Sequence, residues 1–422
     1  MIPAAFCMGL AVPTFVMMAQ SNARDRIKGF LMKPLPIASV GDTSPVSTPA
    51  IPSAPSGPRR LYINDVVGEI LLDGHEIGSG GCGRVISASR IPPGSTVPEK
   101  VALKVLLKDA NRHMLEKELE ILTVLHTDGK HKGKQRIVKP IAFFSDDAIG
   151  QCVAFERLGK DLYDTANEGI RFTIANIRDI AKDVLEGLQH CHSMGIVHSD
   201  IKPENILIAN PDTLERDASG NLVNPRVKLI DFGFACKESD GRRCRQGTMA
   251  FISPEVLLCN SRVCKSDIWS VAITLFSLRT YRDVFNNPSG DRGCQLLMME
   301  KLTGDETPQE MLSIAQERYC DFLVEGDDGK IEIKEWRAGL AARLANWKVR
   351  DRIKAGASTE IEGSVEALAD VVGTMMRIDP RDRASAEQAL KSRFFAQESS
   401  VDNSSDVDDS LTDLERMSIR SN

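Results

Sequence analysis

The chain has ten cysteines but no C-x-x-C pair and no Cys/His cluster at zinc spacing. That removes the common structural zinc modules and fits a reducing compartment better than a disulfide-stapled secreted fold. No uninterrupted apolar run reaches the length of a membrane span. Positive charge is not in excess either: the formal net charge is −6, which gives no support for non-specific nucleic-acid binding. What remains is ordinary for a soluble globular protein, with 42% hydrophobic and 27% charged residues. At 422 residues there is room for two or three domains, or one large two-lobed one.

Residues 1–60 differ from the rest. Met1–Ala23 is apolar and uncharged but interrupted by Pro3 and Pro13; Arg24, Arg26, Lys28 and Lys33 follow, then a Ser/Thr/Pro/Ala tract runs to Pro58. A secretory signal lacks its basic start here, although Ser21-Asn22-Ala23 resembles a cleavage site. A transit peptide and a low-complexity extension both remain open, and the Pro/Ser-rich part reads as a linker in either case. From Glu69 the texture becomes short β-type runs: Glu69–Leu72, Gly83–Ser89, Val101–Leu107, Arg136–Phe144 and Gln151–Phe155, with a charged helical stretch at Asn111–Leu125. Beyond Gly159 the pattern turns helical; Ile177, Ile180, Val184 and Leu188 mark the apolar face of a helix over Ile174–His192. Strands first and helices later predict an α+β fold, a β-rich lobe over 68–156 joined to a mainly helical one over 157–395. Residues 282–365 read as an enlarged helical insert, and 396–422 as a disordered acidic tail.

Residues 198–207, His-Ser-Asp-Ile-Lys-Pro-Glu-Asn-Ile-Leu, are the most informative stretch. They put a carboxylate (Asp200), an ammonium (Lys202) and a carboxamide (Asn205) in one loop ahead of an apolar run. Phosphoryl transfer to a hydroxyl needs a group to orient the hydroxyl, a cation on the moving phosphoryl and an oxygen ligand for a metal. The segment resembles the catalytic loop of eukaryotic protein kinases, with Ser199 where most members carry arginine.

That resemblance extends in order over residues 68–395. Ile77-Gly78-Ser79-Gly80-Gly81-Cys82-Gly83-Arg84-Val85 contains G-x-G-x-x-G, a weak signal alone because dinucleotide-binding folds share it. There a helix follows the glycines; here Arg84–Ser89 is β-like and leads through Pro92-Pro93-Gly94 to Val101-Ala102-Leu103-Lys104. By the resemblance Gly78, Gly80 and Gly83 cover the ATP phosphates and Lys104 bridges the α- and β-phosphates. Of Glu116, Glu118 and Glu120, the kinase helix pattern selects Glu118 as partner of Lys104. Asp231, in Asp231-Phe232-Gly233, and Asn205 are the implied Mg2+ ligands. Ile77, Val85, Ala102 and Leu207 would sandwich adenine, with Phe155 at the back and Glu156 and Leu158 offering backbone hydrogen bonds.

Gly247-Thr248 and Ser253-Pro254-Glu255 resemble the substrate-binding end of a Ser/Thr kinase activation segment, with Glu255 expected to pair with Arg383 and Asp267 to brace the catalytic loop. Lys202 and Gly247-Thr248 favour Ser/Thr over tyrosine. The loop at 198–205 is similar to LAMMER-type and SR-protein kinases; Glu118–Val124 and Gly247–Leu258 are closer to the cell-division-cycle kinases that fire replication origins. The implied function is an ATP- and Mg2+-dependent protein serine/threonine kinase acting on protein substrates in cytoplasm or nucleus, with a regulatory partner possible. The alternative is a pseudokinase-like scaffold, which loss of Lys104, Asp200, Asn205 or Asp231 would have favoured; all four are present. Ser199 predicts weak dependence on an activation-loop phosphate. Arg242, Arg243 and Arg245 suggest either an acidic-substrate contact or a solvated face, and Cys82 is a candidate for modification. Gly326-Asp327-Asp328-Gly329 has the look of a calcium loop but lacks its first side-chain ligands.

Overall fold

The structure, a computed structural model, describes residues 59–396 apart from 65–66, 81–82, 107–111, 128–130, 147–148, 241–246, 261, 283, 286, 288–289, 318–319, 335–347 and 356–361. The N-terminal extension, the acidic tail beyond Ala396, Cys82 and the three arginines at 242–245 therefore lie outside the described residues.

Six antiparallel strands form the first lobe: β1 (Arg59–Asn64), β2 (Gly68–Gly80), β3 (Gly83–Ile91), β4 (Glu99–Leu106), β5 (Pro140–Asp146) and β6 (Gly150–Glu156), in the order β1-β2-β3-β4-β6-β5. The period of two is plain in β4, where Val101, Leu103 and Val105 are buried and alternate with Ala102 and Lys104. The buried set joins Ile70, Ile86, Ala88 and Ala154 in a core of its own. Cross-strand partners share a face, so the pairs Val85↔Lys104, Lys104↔Val153 and Ala102↔Phe155 align these residues on the opposite face. Val153 and Phe155 belong to a second, larger core with the helix Arg112–Thr127 and the C-terminal lobe. One sheet thus packs on its outer face and offers its inner face to the cleft.

The helix Ile174–Ser193 starts where the Thr173 hydroxyl accepts the Asn176 N–H and the Asn176 side chain accepts the Thr173 N–H, a capping box. Its stripe of Ile177, Ile180, Val184 and Leu188 is wholly buried. Each such side chain contributes about 1.5–3 kcal/mol, so a charge at Leu188 would break the lobe. Beneath it, Cys264–Thr280 is buried around most of its circumference, with Trp269, Val271, Leu275 and Phe276 inaccessible. Between these helices run β7 (Ile196–Val197), β8 (Ile206–Ile208), β9 (Val227–Leu229) and β10 (Cys236–Lys237), pairing β7 with β10 and β8 with β9. Those two ribbons suspend the catalytic loop and Asp231.

Three expectations change. Strand β1 precedes the point where β texture was expected to begin, and it pairs with β2 from Arg59↔Leu72 to Asn64↔Gly68. Arg136, expected to open a strand, instead closes the 3-10 turn Lys132–Arg136 and the strand begins at Pro140; the turn is seated on the helix Ile174–Ser193, where Gly133 lies so close that a Cβ would meet the Glu186 carbonyl at 2.0 Å. The insert is not purely helical. Besides the helices Arg292–Thr303 and Gln309–Gln316 it holds a hairpin of β11 (Leu323–Glu325) and β12 (Ile331–Ile333). Gly326–Gly329 is its turn, closed by the Gly326 N–H on the Lys330 carbonyl at 2.8 Å.

Candidate active site

Lys104 projects from β4 into the cleft and donates to Glu118 Oε2 at 2.8 Å and to Asp231 Oδ1 at 3.3 Å. Glu118 is 3% exposed, whereas Glu120 on the same helix is exposed; of the three glutamates, Glu118 is the one turned inward to Lys104. Burial works against the lysine charge, but the Glu118 and Asp231 carboxylates outweigh it and hold the ammonium pKa above the usual lysine value. Asp231 sits in the left-handed region, φ 59°. Burial would raise its carboxyl, yet Lys104 and His198 prevail and keep it below the usual carboxylate range.

The catalytic loop hangs from Asp267. Its two oxygens accept the Ser199 N–H (Oδ1, 2.8 Å) and the His198 N–H (Oδ2, 2.8 Å), and Oδ2 also contacts His192 Nε2 at 2.9 Å. His198 is inaccessible, with Nε2 on the Ile230 carbonyl at 3.0 Å and its ring 4.5 Å from that of Phe232. Asp267 therefore holds the loop while His198 ties it to the Asp231-Phe232-Gly233 turn.

Asp200 is the meeting point. Its Oδ1 accepts from Thr248 N and Oγ1, both at 3.0 Å; its Oδ2 accepts from Asn205 Nδ2 at 3.0 Å and lies 3.1 Å from Lys202 Nζ. Lys202 also donates to Thr248 Oγ1 at 2.9 Å. Gly247 makes this approach possible: at φ 116° it passes so near the loop that a Cβ would meet the Ser199 carbonyl at 2.9 Å. A carboxylate, an ammonium, a carboxamide and a threonine hydroxyl converge at Asp200. That constellation serves transfer of a phosphoryl group to a hydroxyl.

The family described as protein kinase domain matches residues 72–395. The chain belongs to the protein kinase family. It is 28% identical over 347 residues to the dual specificity protein kinase CLK1 of Mus musculus, covering 78% of this chain and 67% of that one. Against the serine/threonine-protein kinase AFC3 of Arabidopsis thaliana it is 28% identical over 312 residues, covering 70% and 76%. The crystal structure of the PF14_0431 kinase domain superposes with a TM-score of 0.64 at 25% identity, covering 79% of this chain and 96% of that chain. The two-lobed α+β fold and the enzyme class read from the motifs stand, ahead of the scaffold alternative.

In the kinase the residues expected to sandwich adenine come from β2, β3, β4 and β8. Ala102 lies beside Phe155 across β4–β6, and Leu207 bridges to Asp161 on the lower side. Leu158 is buried, and Ile77, at 38% exposure, overhangs from β2. One detail is narrower than expected. The Glu156 N–H is committed to the Lys139 carbonyl at 3.1 Å, which leaves the carbonyl as the backbone group Glu156 can offer. Gly78, Gly80 and Gly83 are all in the β2–β3 hairpin. Gly83 has a packing reason of its own, since a Cβ there would meet the Val105 carbonyl at 2.4 Å.

Asn205 donates both hydrogen bonds of its Nδ2 to Asp200, at the carbonyl and at Oδ2, which leaves Oδ1 as the ligating atom. With the Asp231 carboxylate it makes a hard-oxygen pair that fits Mg2+ completed by phosphate oxygens and water. Among the described residues no group of three or more His, Cys, Asp and Glu side chains could hold a metal.

Sequence reasoning missed two positioning side chains. Lys228 Nζ lies 2.7 Å from both Glu156 oxygens, and Glu156 Oε1 also accepts the Lys139 N–H at 2.7 Å. The strand delivering Asp231 is thereby bolted to the interlobe connection. Lys117 donates to the Ala235 carbonyl, linking the Glu118 helix to the activation segment. The one available signal was a lysine inside the apolar strand before Asp231.

Proposed function

We propose that this kinase is a serine/threonine kinase that transfers the γ-phosphoryl group of ATP to hydroxyls of protein substrates, using Mg2+. The observation that carries the reading is the Asp200 carboxylate, held by Thr248, Asn205 and Lys202 within a cleft whose other wall is Lys104 with Glu118 and Asp231. Asp200 orients the substrate hydroxyl. As the new bond forms between that oxygen and the γ-phosphorus, the bond to the β–γ bridging oxygen breaks and the hydroxyl proton passes to Asp200. Lys202 stabilises charge on the moving phosphoryl, and Lys104 holds the α- and β-phosphates. Magnesium held by Asp231 and Asn205 Oδ1 would neutralise phosphate charge. Ile77, Val85, Ala102, Leu158 and Leu207 bind the purine, and Gly78, Gly80 and Gly83 cover the phosphates.

Thr248 supports serine and threonine as acceptors, because it donates to Asp200 and accepts from Lys202 at the point a short hydroxyl would reach. CLK1 carries dual specificity in its name, so tyrosine peptides belong in the test. The cytoplasmic or nuclear setting and a regulatory partner remain part of the same proposal, the former resting on the cysteine scatter. The experiment is magnesium-ATP with a Ser, Thr and Tyr peptide library, comparing wild type with Asp231→Asn. Phosphate on Ser/Thr peptides from wild type alone is the expected result. Equal signal from both proteins overturns the assignment.

A further inference from the structure

Ser199 leaves space where a longer side chain would lie. Its backbone is left-handed (φ 73°), its N–H is fixed on Asp267, and its Oγ ends 3.9 Å from Cys236 Sγ. Beside it is a small cavity of about 20 Å3, room for one water. Its walls include Ser199, Ser253, Val256, Asp267, Ser270 and one basic residue, Arg262. Arg262 comes from the link between the helices Pro254–Leu257 and Cys264–Thr280. It is 2% exposed and donates Nη1 to the Phe234 carbonyl at 3.2 Å. A guanidinium is seldom buried this deeply unless its charge is used.

Phe234 closes the 3-10 turn Phe232–Phe234 that follows Asp231. A cation gripping its carbonyl fixes the turn and, through it, the left-handed Asp231. Between Asp240 and Gly247 the activation segment has no hydroxyl that could carry a phosphate for that task, and Ser239 is the one exposed hydroxyl before it. The hydroxyls of 231–255 are Ser239, Thr248 and Ser253 alone. Thr248 is engaged by Asp200 and Lys202, and Ser253 is buried.

We infer that Arg262 is a positioning residue which supplies, from the opposite wall of this cavity, the cation absent at position 199, and so holds the start of the activation segment without a phosphate. The inference rests on the reading of Asp200 and Asp231 given above. It differs from a purely structural role because the guanidinium, not its point of attachment, is what matters.

The test is steady-state kinetics on wild type, Arg262→Ala, Ser199→Arg and the Ser199→Arg/Arg262→Ala double variant, with Asp231→Asn as control and thermal melts on each. Arg262→Ala should lower kcat about ten- to hundredfold, the scale of a lost charge-assisted hydrogen bond, with KM for ATP within about twofold. The double variant should recover kcat to within about threefold of wild type. Ser199→Arg alone should lower the melting temperature, because two guanidiniums would then share a cavity with one carboxylate, Asp267. If Arg262→Ala melts early, Arg262→Gln keeps the bulk and serves in both backgrounds. Wild-type kcat in the Arg262 variants, or a fall that Ser199→Arg does not reverse, overturns the inference. Wild type and Asp231→Asn being equal would instead overturn the catalytic reading.

Discussion

Removing Glu255 strands Arg383 inside the C-terminal lobe, and the geometry fixes what that costs. The pair is bidentate, Nη1 to Oε1 at 2.8 Å and Nη2 to Oε2 at 2.9 Å, with side chains 0% and 3% exposed. Ser266 Oγ also donates to Oε1 at 2.7 Å. Glu255→Ala leaves an uncompensated buried charge, which costs about 3–5 kcal/mol. For a lobe of this size that is roughly 6–20 °C in melting temperature at about 2–4 °C per kcal/mol.

The two single variants should differ. Without Glu255 the guanidinium still donates to the carbonyls of Arg377, Ile378 and Lys265. Without Arg383, Glu255 keeps the Ser266 hydroxyl and its own backbone N–H, fewer partners than Arg383 retains without Glu255, so Arg383→Ala is the costlier change. The Glu255→Ala/Arg383→Ala double variant removes the two charges together, and its cost should fall short of the summed singles by about 1–3 kcal/mol. Urea titration of the four proteins, with far-UV circular dichroism as the readout, gives the cycle. A Glu255→Ala cost below about 1 kcal/mol, or strict additivity, refutes the reasoning.

Lys104→Met should reduce kcat about 10²–10³-fold on a Ser/Thr peptide while the protein still melts cooperatively, because it removes one preorganised charge from the phosphates; steady-state kinetics checks this. Glu255 and Asp267 set the acid limit of stability. Burial would raise both carboxyls, but Arg383 outweighs it at Glu255 and His192 with His198 at Asp267, so both are held below their usual values. Their stabilising contributions are complete above the unfolded values of about 4.3 and 3.9, and are lost as pH falls through the depressed folded values. Unfolding free energy against pH should therefore drop below about pH 4 in wild type and drop less steeply in Asp267→Asn. Phosphatase treatment should leave kcat largely intact, and loss of nearly all activity would contradict the reading of Ser199.

The site was legible because its chemistry is carried by short local strings. Asp200, Lys202 and Asn205 share one loop, and Asp231 follows an apolar strand, so the resemblance to kinase motifs could place them. Glu118 could be chosen from three glutamates because the family's helix pattern selects it, and the structure turns that glutamate inward. Glu255–Arg383 was within reach only through the family pattern, since nothing local links residues so far apart in the chain. The hidden features depend on distant partners. Strand β1 is six residues whose only strand pairing among the described residues is with β2, and the hairpin β11–β12 packs within a helical insert. The Glu156–Lys228 bond joins two strands that become neighbours only after the lobes close on each other. Gly83 looked like a phosphate-loop glycine, while its tightest contact is the Val105 carbonyl. Arg262 had no signal at all in sequence, because its meaning depends on the cavity left by Ser199.

The most direct test of the account is kcat on a Ser/Thr peptide with magnesium-ATP for wild type and Asp200→Asn, both confirmed folded by their melts. The asparagine keeps the size and most hydrogen bonds of the carboxylate but can neither carry its charge nor take the proton. The account predicts turnover by wild type and a fall of about 10²–10⁴ in the variant. Asp200→Asn turning over within about threefold of wild type would contradict it.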